Sequence, residues 1–280
     1  MAMRTYRVSL EGNATVEVED AGQGPALLML HAGVADRHMW DRQWQWLQHG
    51  YRVVRWDWRG FGDTAHVPGS FSYADDVITI MDRLEISSAI LMGCSFGGGV
   101  AIQVAIQHPD RVNRLALVGS GIPGYTASNP PEVEALLTEV DQAINTNDTA
   151  RALDLMEQLW LVGPARHALD IDPHYLSRAR ELLARADRPD HGAVSRGAQW
   201  SALDTLPELT VPTLIIVGDQ DVPDVISAAQ YLKDHLPSSR LEIIENAAHL
   251  PNLERPRHFD ALLSEWLADT APPAVAPELI

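Results

Sequence analysis

The feature that most constrains this chain is the stretch 89–101, AILMGCSFGGGVA. It opens with an apolar run long enough for a buried parallel strand. It then passes through Gly93-Cys94-Ser95-Phe96-Gly97, a G-x-S-x-G pattern, into the start of an apolar-faced helix. A serine on such a sharp strand-to-helix turn has a strained backbone, and the flanking glycines remove Cβ atoms that would clash. We interpret Ser95 as a candidate nucleophile; the alternative is an ordinary serine cap of a helix.

Two backbone N–H groups are candidates for an oxyanion hole beside this serine. The N–H of Phe96 is expected at the helix N-terminus, where it faces a developing negative oxygen. A second donor is expected from the turn His31-Ala32-Gly33-Val34, because a glycine-containing turn exposes backbone N–H groups. Either Gly33 or Val34 would supply it, with a slight preference for Gly33. His31 is interpreted as a structural histidine whose ring bonds loop backbone.

The rest of the chain alternates strands and helices with short connections. Strands are predicted at about 5–10, 15–18, 26–30, 52–56, 89–92, 114–118, 211–217 and 240–244. The first two form an antiparallel hairpin at a sheet edge. The alternation predicts an α/β fold with a mostly parallel, doubly wound sheet of about eight strands and helices on both faces.

This alternation breaks between residues 121 and 206, where no convincing strand is found. Helical patterns cover 130–145, 149–161 and 173–186 instead. An insertion of helices on the side of the strand carboxyl ends is a lid. We therefore divide the chain into a core of residues 1–120 and 207–280 and a helical lid of residues 121–206.

The lid and the adjoining loops hold the candidate substrate-binding residues. Aromatic and sulfur-containing side chains concentrate at the edges of the lid helices, and some must line the cleft between lid and body. The alternative is that they only pack the lid onto the core. The predicted substrate-binding residues are Met156, Trp160, Trp200, Ile122, Val222 and Leu250.

Candidate partners for Ser95 follow two later strands. His249 lies on a loop of small residues after the last strand, and Asp219 and Asp221 follow the strand before it. In an open parallel sheet, all these strand exits share the edge where ligands bind. We prefer Asp221, because Asp219 is better placed to cap the turn. His249 would act as the base, and Asp221 would hold its imidazole tautomer.

Two charged residues after an earlier strand are given structural roles. Asp57 and Arg59 lie in the loop DWRGFGD, and we interpret them as an ion pair that also caps loop backbone.

Composition excludes several other classes of function. The formal net charge of −17 argues against nucleic acid or an anionic membrane as a partner, since both need a basic face. The single lysine, Lys233, argues against Schiff-base chemistry, and the single cysteine, Cys94, excludes an intramolecular disulfide. We expect no metal and no cofactor. No apolar run of about 18 residues or signal peptide is seen, so a cytoplasmic location is expected.

Taken together, these motifs resemble the α/β-hydrolase superfamily over nearly the whole chain. The resemblance rests on the stretches His31-Ala32-Gly33, DWRGFG at 57–62, GCSFGG at 93–98, GDQD at 218–221, and His249. The stretch Met39-Trp40-Asp41 is similar to esterases with a single lid and to enol-lactonase-like hydrolases. Family members often have His-Gly where this chain has His31-Ala32. Serine at the elbow differs from the aspartate of haloalkane dehalogenases and epoxide hydrolases.

The pattern predicts a serine hydrolase that cleaves small or medium carboxylic esters through an acyl-enzyme. Lactone opening, carbon–carbon bond hydrolysis and cofactor-free perhydrolysis are alternatives that use the same residues. A ligand receptor on the same fold is the non-enzymatic alternative. The expected partner is a small-molecule ester substrate, and the sequence leaves the oligomeric state open.

Overall fold

The computed structural model describes residues 3–186, 193–195 and 200–269. Ten strands lie in these residues: β1 (Arg4–Ser9), β2 (Thr15–Gly22), β3 (Ala26–Leu30), β4 (Arg52–Trp56), β5 (Gly69–Phe71), β6 (Ala89–Cys94), β7 (Val112–Val118), β8 (Ala193–Ser195), β9 (Thr213–Gly218) and β10 (Ser239–Ile244).

The helices follow the alternation expected from the sequence. Within the described residues they are α1 (Asp41–Leu47), α2 (Tyr73–Arg83), α3 (Phe96–Gln107), α4 (Pro131–Asn145), α5 (Thr149–Met156), α6 (Pro173–Ala186), α7 (Pro223–His235), α8 (Pro251–Glu254) and α9 (Pro256–Asp269). A π-helical segment, Glu157–Val162, continues α5. No helix in the described ranges is both long and apolar enough to cross a membrane.

Eight of the described strands form one sheet in the order β1-β2-β4-β3-β6-β7-β9-β10. β1 pairs with β2, and β2 with β4, in antiparallel register, whereas the remaining neighbours are parallel. The expectation of a mostly parallel sheet of about eight strands with an antiparallel hairpin at its edge is therefore confirmed. The carboxyl ends of β3, β6, β7, β9 and β10 consequently share one edge.

Strand periodicity divides the core between the two faces of the sheet. Leu28 of β3 pairs in register with Leu91 of β6, and both enter one hydrophobic cluster. Their neighbours Met29 and Met92 are paired next in register and enter a second cluster. Because successive side chains of a strand point to opposite faces, a strand covered on both sides must be apolar throughout. All six residues of β6 are accordingly buried.

The helices α4, α5 and α6 lie in the chain between β7 and β9, as the sequence predicts. The expectation that residues 121–206 hold no strand is wrong, because β8 pairs in parallel with β5 in a separate two-stranded sheet. A three-residue strand is too short to show a period-2 pattern, and its partner lies far away in the chain. Residues 187–192 and 196–199 of the predicted lid, and residues 270–280 of the predicted core, lie outside the described residues.

Candidate active site

Ser95 occupies the turn between β6 and α3 with φ 52° and ψ −114°. This conformation is costly for a residue with a side chain, and it persists only where the surroundings impose it. A Cβ at Gly97 would lie 2.4 Å from the Leu30 carbonyl oxygen, and one at Gly93 would lie 2.4 Å from the Gly97 carbonyl oxygen. The Ser95 N–H donates to the Val118 carbonyl at 2.8 Å. The turn therefore has the strained geometry that the G-x-S-x-G pattern predicts.

His249 and Asp221 meet across the loops that follow β10 and β9. His249 Nδ1 lies 3.0 Å from Asp221 Oδ1 and 2.9 Å from Oδ2, and both residues are buried. Asp221 Oδ1 also accepts the Val222 N–H at 2.8 Å. When Nδ1–H donates to the carboxylate, Nε2 is left as the acceptor of the imidazole ring.

The loop that carries His249 also contacts the turn that carries Ser95. Cys94, the residue before Ser95, places its Sγ 3.8 Å from the His249 carbonyl oxygen. Burial, reinforced by the charge of Asp221, raises the pKa of the Cys94 thiol well above its usual value. Cys94 therefore stays a thiol and packs between the two loops. The structure thus brings the segments of Ser95, Asp221 and His249 to one sheet edge.

The expected oxyanion donors lie on the segments that follow β3 and β6 at the same edge. Within the described residues, the backbone N–H groups of Gly33, Val34 and Phe96 have no protein acceptor. A Cβ at Gly33 would lie 3.7 Å from the Phe96 Cβ, so the two segments are adjacent. The Ala35 N–H donates to the Ala32 carbonyl at 3.2 Å and closes the turn. An oxyanion hole formed by Phe96 with Gly33 or Val34 stays a prediction that these unpaired N–H groups of the described residues are compatible with.

His31 has the structural role expected from the sequence. Its Nδ1 lies 2.8 Å from the Ala32 carbonyl oxygen, and its Nε2 accepts the Trp58 N–H at 3.0 Å. Both ring nitrogens are therefore bonded to loop backbone. Burial lowers the pKa of the imidazole, against the raising effect of Asp57. A neutral ring protonated at Nδ1 satisfies both contacts.

The expectation that Asp57 and Arg59 pair with each other is wrong. Asp57 forms an ion pair with Arg37 and accepts the backbone N–H of Arg37 at 2.8 Å and of Asp63 at 2.9 Å. Arg59 pairs instead with Asp76 of α2, at 2.7 and 2.6 Å. Both residues do brace backbone or neighbouring elements, but with partners that only the folded chain brings near.

Three of the predicted substrate-binding residues are partly exposed. The Trp160 ring centroid lies 4.6 Å from that of His249, and the Trp160 carbonyl accepts the His249 N–H at 3.2 Å. Met156 and Trp200 are half-buried, and Met156 packs against both core clusters. Trp160 is therefore in direct contact with the candidate base.

The other three predicted substrate-binding residues lie in the core. Ile122 is buried, and Val222 and Leu250 expose none of their surface. In this conformation Val222 and Leu250 present no surface to a ligand, because each is packed into one of the two hydrophobic clusters. Substrate contact at all six positions stays a prediction.

Sequence reasoning missed one glycine that makes room for the pair of His249 and Asp221. Gly119, directly after β7, has φ 48°. A Cβ there would lie 3.2 Å from Asp221 Oδ2 and 3.3 Å from His249 Nδ1. A positive φ and close polar neighbours both favour glycine. The available signal was its position at the exit of the strand between β6 and β9.

Comparison with known proteins places the chain in a family. A family model described as alpha/beta hydrolase fold matches residues 25–256, and the chain therefore belongs to the α/β-hydrolase fold family.

Particular relatives cover nearly the whole chain. The chain is 25% identical to 3-oxoadipate enol-lactonase 2 of Acinetobacter baylyi, covering 84% of this chain and 86% of that protein. It is 29% identical to 2-hydroxymuconate semialdehyde hydrolase of a Pseudomonas species, covering 92% of each. A solved esterase from Thermogutta terrifontis, with malate bound, superposes with a TM-score of 0.78 at 25% identity, over 96% of this chain and 100% of that one.

Proposed function

We propose that this protein is a serine hydrolase that cleaves carboxylic esters of small or medium size. The observation that carries the proposal is the hydrogen bond between His249 Nδ1 and the Asp221 carboxylate, on a loop that contacts Cys94, the neighbour of a serine held in a strained turn. A base oriented by a carboxylate next to a nucleophile is the arrangement that acyl transfer requires.

The proposed reaction has two halves. Ser95 Oγ attacks the ester carbonyl carbon while His249 Nε2 takes the hydroxyl proton, and the proton then passes to the departing alcohol. Water, deprotonated by the same nitrogen, attacks the acyl carbon. The bond to Ser95 Oγ then breaks, Oγ takes the proton back from His249 Nε2, and the acid is released. Asp221 fixes the tautomer and stabilises the imidazolium in both halves.

The oxyanion of each tetrahedral intermediate is bound by backbone N–H groups. Phe96 supplies one donor and Gly33 or Val34 the second. Each such donor typically lowers the barrier by about 3 kcal/mol, because it is already oriented in a site from which water is excluded. We further propose that residues 121–206 act as a lid, with Trp160 covering the imidazole of His249.

Lactone opening and carbon–carbon bond hydrolysis are the second candidate functions. They use the same three side chains, and the relatives include an enol-lactonase and a semialdehyde hydrolase. A panel of p-nitrophenyl esters and lactones with matched acyl lengths separates the candidates by their kcat/KM values.

The decisive test is covalent labelling. A fluorophosphonate probe should label wild-type protein at Ser95, and Ser95→Ala should lose the label and at least about 10³-fold of kcat on p-nitrophenyl esters. Ser227→Ala is the matched control, since its hydroxyl only bonds the Pro223 carbonyl within α7. A folded wild-type protein that neither reacts with the probe nor turns over any ester would overturn the proposal and favour a ligand receptor.

A further inference from the structure

The loop that carries His249 is held by a buried ion pair that reaches it from the inserted segment. Arg166 Nη1 lies 2.8 Å from Glu254 Oε1, and Nη2 lies 3.1 Å from Oε2. The Glu254 side chain is only 3% exposed and that of Arg166 15% exposed. This fork-to-fork geometry fixes both side chains, and a paired carboxylate tolerates burial that an isolated one does not.

Each member of the pair also binds the backbone just before His249. Glu254 Oε2 accepts the Ala248 N–H at 2.8 Å. Arg166 Nη1 donates to the Asn246 carbonyl at 3.1 Å, and Asn246 has φ 55°. Asn246 and Ala248 are therefore both hydrogen-bonded to the same ion pair. The ion pair thus fixes the backbone just before His249 at two points.

The same arginine anchors the π-helical segment that contacts the imidazole. Arg166 Nε donates to the Val162 carbonyl at 2.6 Å. Two residues earlier in that segment, Trp160 accepts the His249 N–H with its carbonyl and packs its ring against the imidazole. One guanidinium thus connects the segment 157–162 to the loop 246–249.

We propose that Arg166 and Glu254 are positioning residues that set the placement of the His249 imidazole and couple it to the inserted segment. The inference rests on the proposed function only for its kinetic consequence. A base displaced by about 1 Å loses roughly 10²-fold in rate, although neither Arg166 nor Glu254 touches the reacting atoms. The pair thereby gives the insertion a second role besides covering the site.

Kinetics of ester hydrolysis test the proposal. Glu254→Gln keeps an acceptor for the Ala248 N–H but loses the ion pair. Arg166→Met loses four hydrogen bonds, two to backbone carbonyls and two to the Glu254 carboxylate. We expect kcat to fall between about 10-fold and 10²-fold in both, more in Arg166→Met, with KM changed by less than about threefold. Arg166→Lys should recover part of kcat, because it retains the charge without the bidentate fork.

The matched control is Arg180→Met. Arg180 pairs with Glu157 on the same π-helical segment but is half-exposed and has no contact with the His249 loop. The kcat of Arg180→Met should equal that of wild type. Equal kcat losses in Arg180→Met and Arg166→Met would overturn the positioning role, and so would a wild-type kcat in both Arg166→Met and Glu254→Gln.

A readout without turnover separates this inference from the proposed function. The proton shared by His249 Nδ1 and Asp221 should give a low-field NMR resonance that disappears in Asp221→Asn. We expect it to broaden or shift in Arg166→Met and Glu254→Gln and to stay unchanged in Arg180→Met, whether or not esters are cleaved. If Arg166→Met does not fold, Glu254→Gln and Arg166→Lys carry the test. An unchanged resonance in all folded variants of the pair would refute the inference alone.

Discussion

The two sides of the candidate site are built in different ways. On the side of the candidate nucleophile, Gly93 and Gly97 mark in the local sequence where β6 and α3 meet at a tight turn, and this turn packs on the Leu30 and Val118 carbonyls of the neighbouring strands. On the base side, His249 is placed by contacts from Asp221, Trp160, and the pair of Arg166 and Glu254. A local sequence pattern thus marks the turn of the candidate nucleophile, whereas the contacts that place the candidate base come from distant segments.

The largest effect is expected from replacing the carboxylate that orients the candidate base. Asp221→Asn should lower kcat by about 10⁴-fold, because an amide favours the wrong imidazole tautomer. Asp219→Asn is the matched control, since Asp219 is the neighbouring carboxylate in the same loop and is not bonded to His249 in the described contacts. Steady-state kinetics on p-nitrophenyl acetate decide the matter, and comparable losses in the two variants would contradict the assignment of Asp221.

A smaller effect is expected from crowding the nucleophile side. Gly97→Ala places a Cβ 2.4 Å from the Leu30 carbonyl oxygen, so the turn or β3 must shift. We expect a kcat loss of about 10²-fold and a destabilisation of roughly 1–3 kcal/mol, measured by kinetics and urea unfolding.

Gly99→Ala in the same helix is the control for Gly97→Ala. Its new Cβ would have its nearest neighbour, the Gly121 carbonyl oxygen, at 3.4 Å. Kinetics should be unchanged, and stability should rise by up to about 1 kcal/mol from helix propensity. Similar kinetics for the two variants would show that the turn does not depend on close approach at Gly97.

The smallest expected effect is a pH dependence on the nucleophile side. Burial lowers the pKa of His31. Below about pH 6.5 the His31 imidazole therefore binds a proton in the unfolded chain more readily than in the folded protein. The free energy of unfolding should therefore fall on acidification, by at most about 1.4 kcal/mol per pH unit from this group. In His31→Gln this contribution is absent. The difference in the free energy of unfolding between wild type and His31→Gln should therefore narrow as the pH falls from 7.5 to about 5.5.

His38→Gln gives the opposite sign and serves as the comparison. A hydrogen bond to Asp41 raises the pKa of His38, so its contribution is present below the unfolded pKa and lost as pH rises through the folded pKa. The difference in the free energy of unfolding between wild type and His38→Gln should widen on acidification. Urea unfolding at several pH values measures both differences, and parallel behaviour of the two variants would contradict the opposite pKa shifts of His31 and His38.

The sequence predicts those parts of the fold that are determined by residues close together in the chain. The apolar runs of β3 and β6 and the glycines around Ser95 are such local signals, and the central sheet and the turn follow from them. The role of His31 was also predictable, because its place before a turn leaves loop backbone as its nearest partner.

The remaining features depend on contacts between distant segments. Arg59 pairs with Asp76 of α2 rather than with its chain neighbour Asp57. Arg166 and Glu254 also form a pair although they are far apart in the chain. The short strand β8 is stabilised only by pairing with β5. No periodicity or spacing marks such partners, so they became visible only in three dimensions.

The burial of Cys94 has a practical consequence for experiments in solution. It is the sole cysteine of the chain, it is inaccessible, and its thiolate is disfavoured. Maleimide dyes or spin labels would therefore react only with a cysteine introduced at the surface, with no background to remove first. Distances between labels on α4 and α7 would then report whether the insertion moves during turnover in an otherwise unaltered protein.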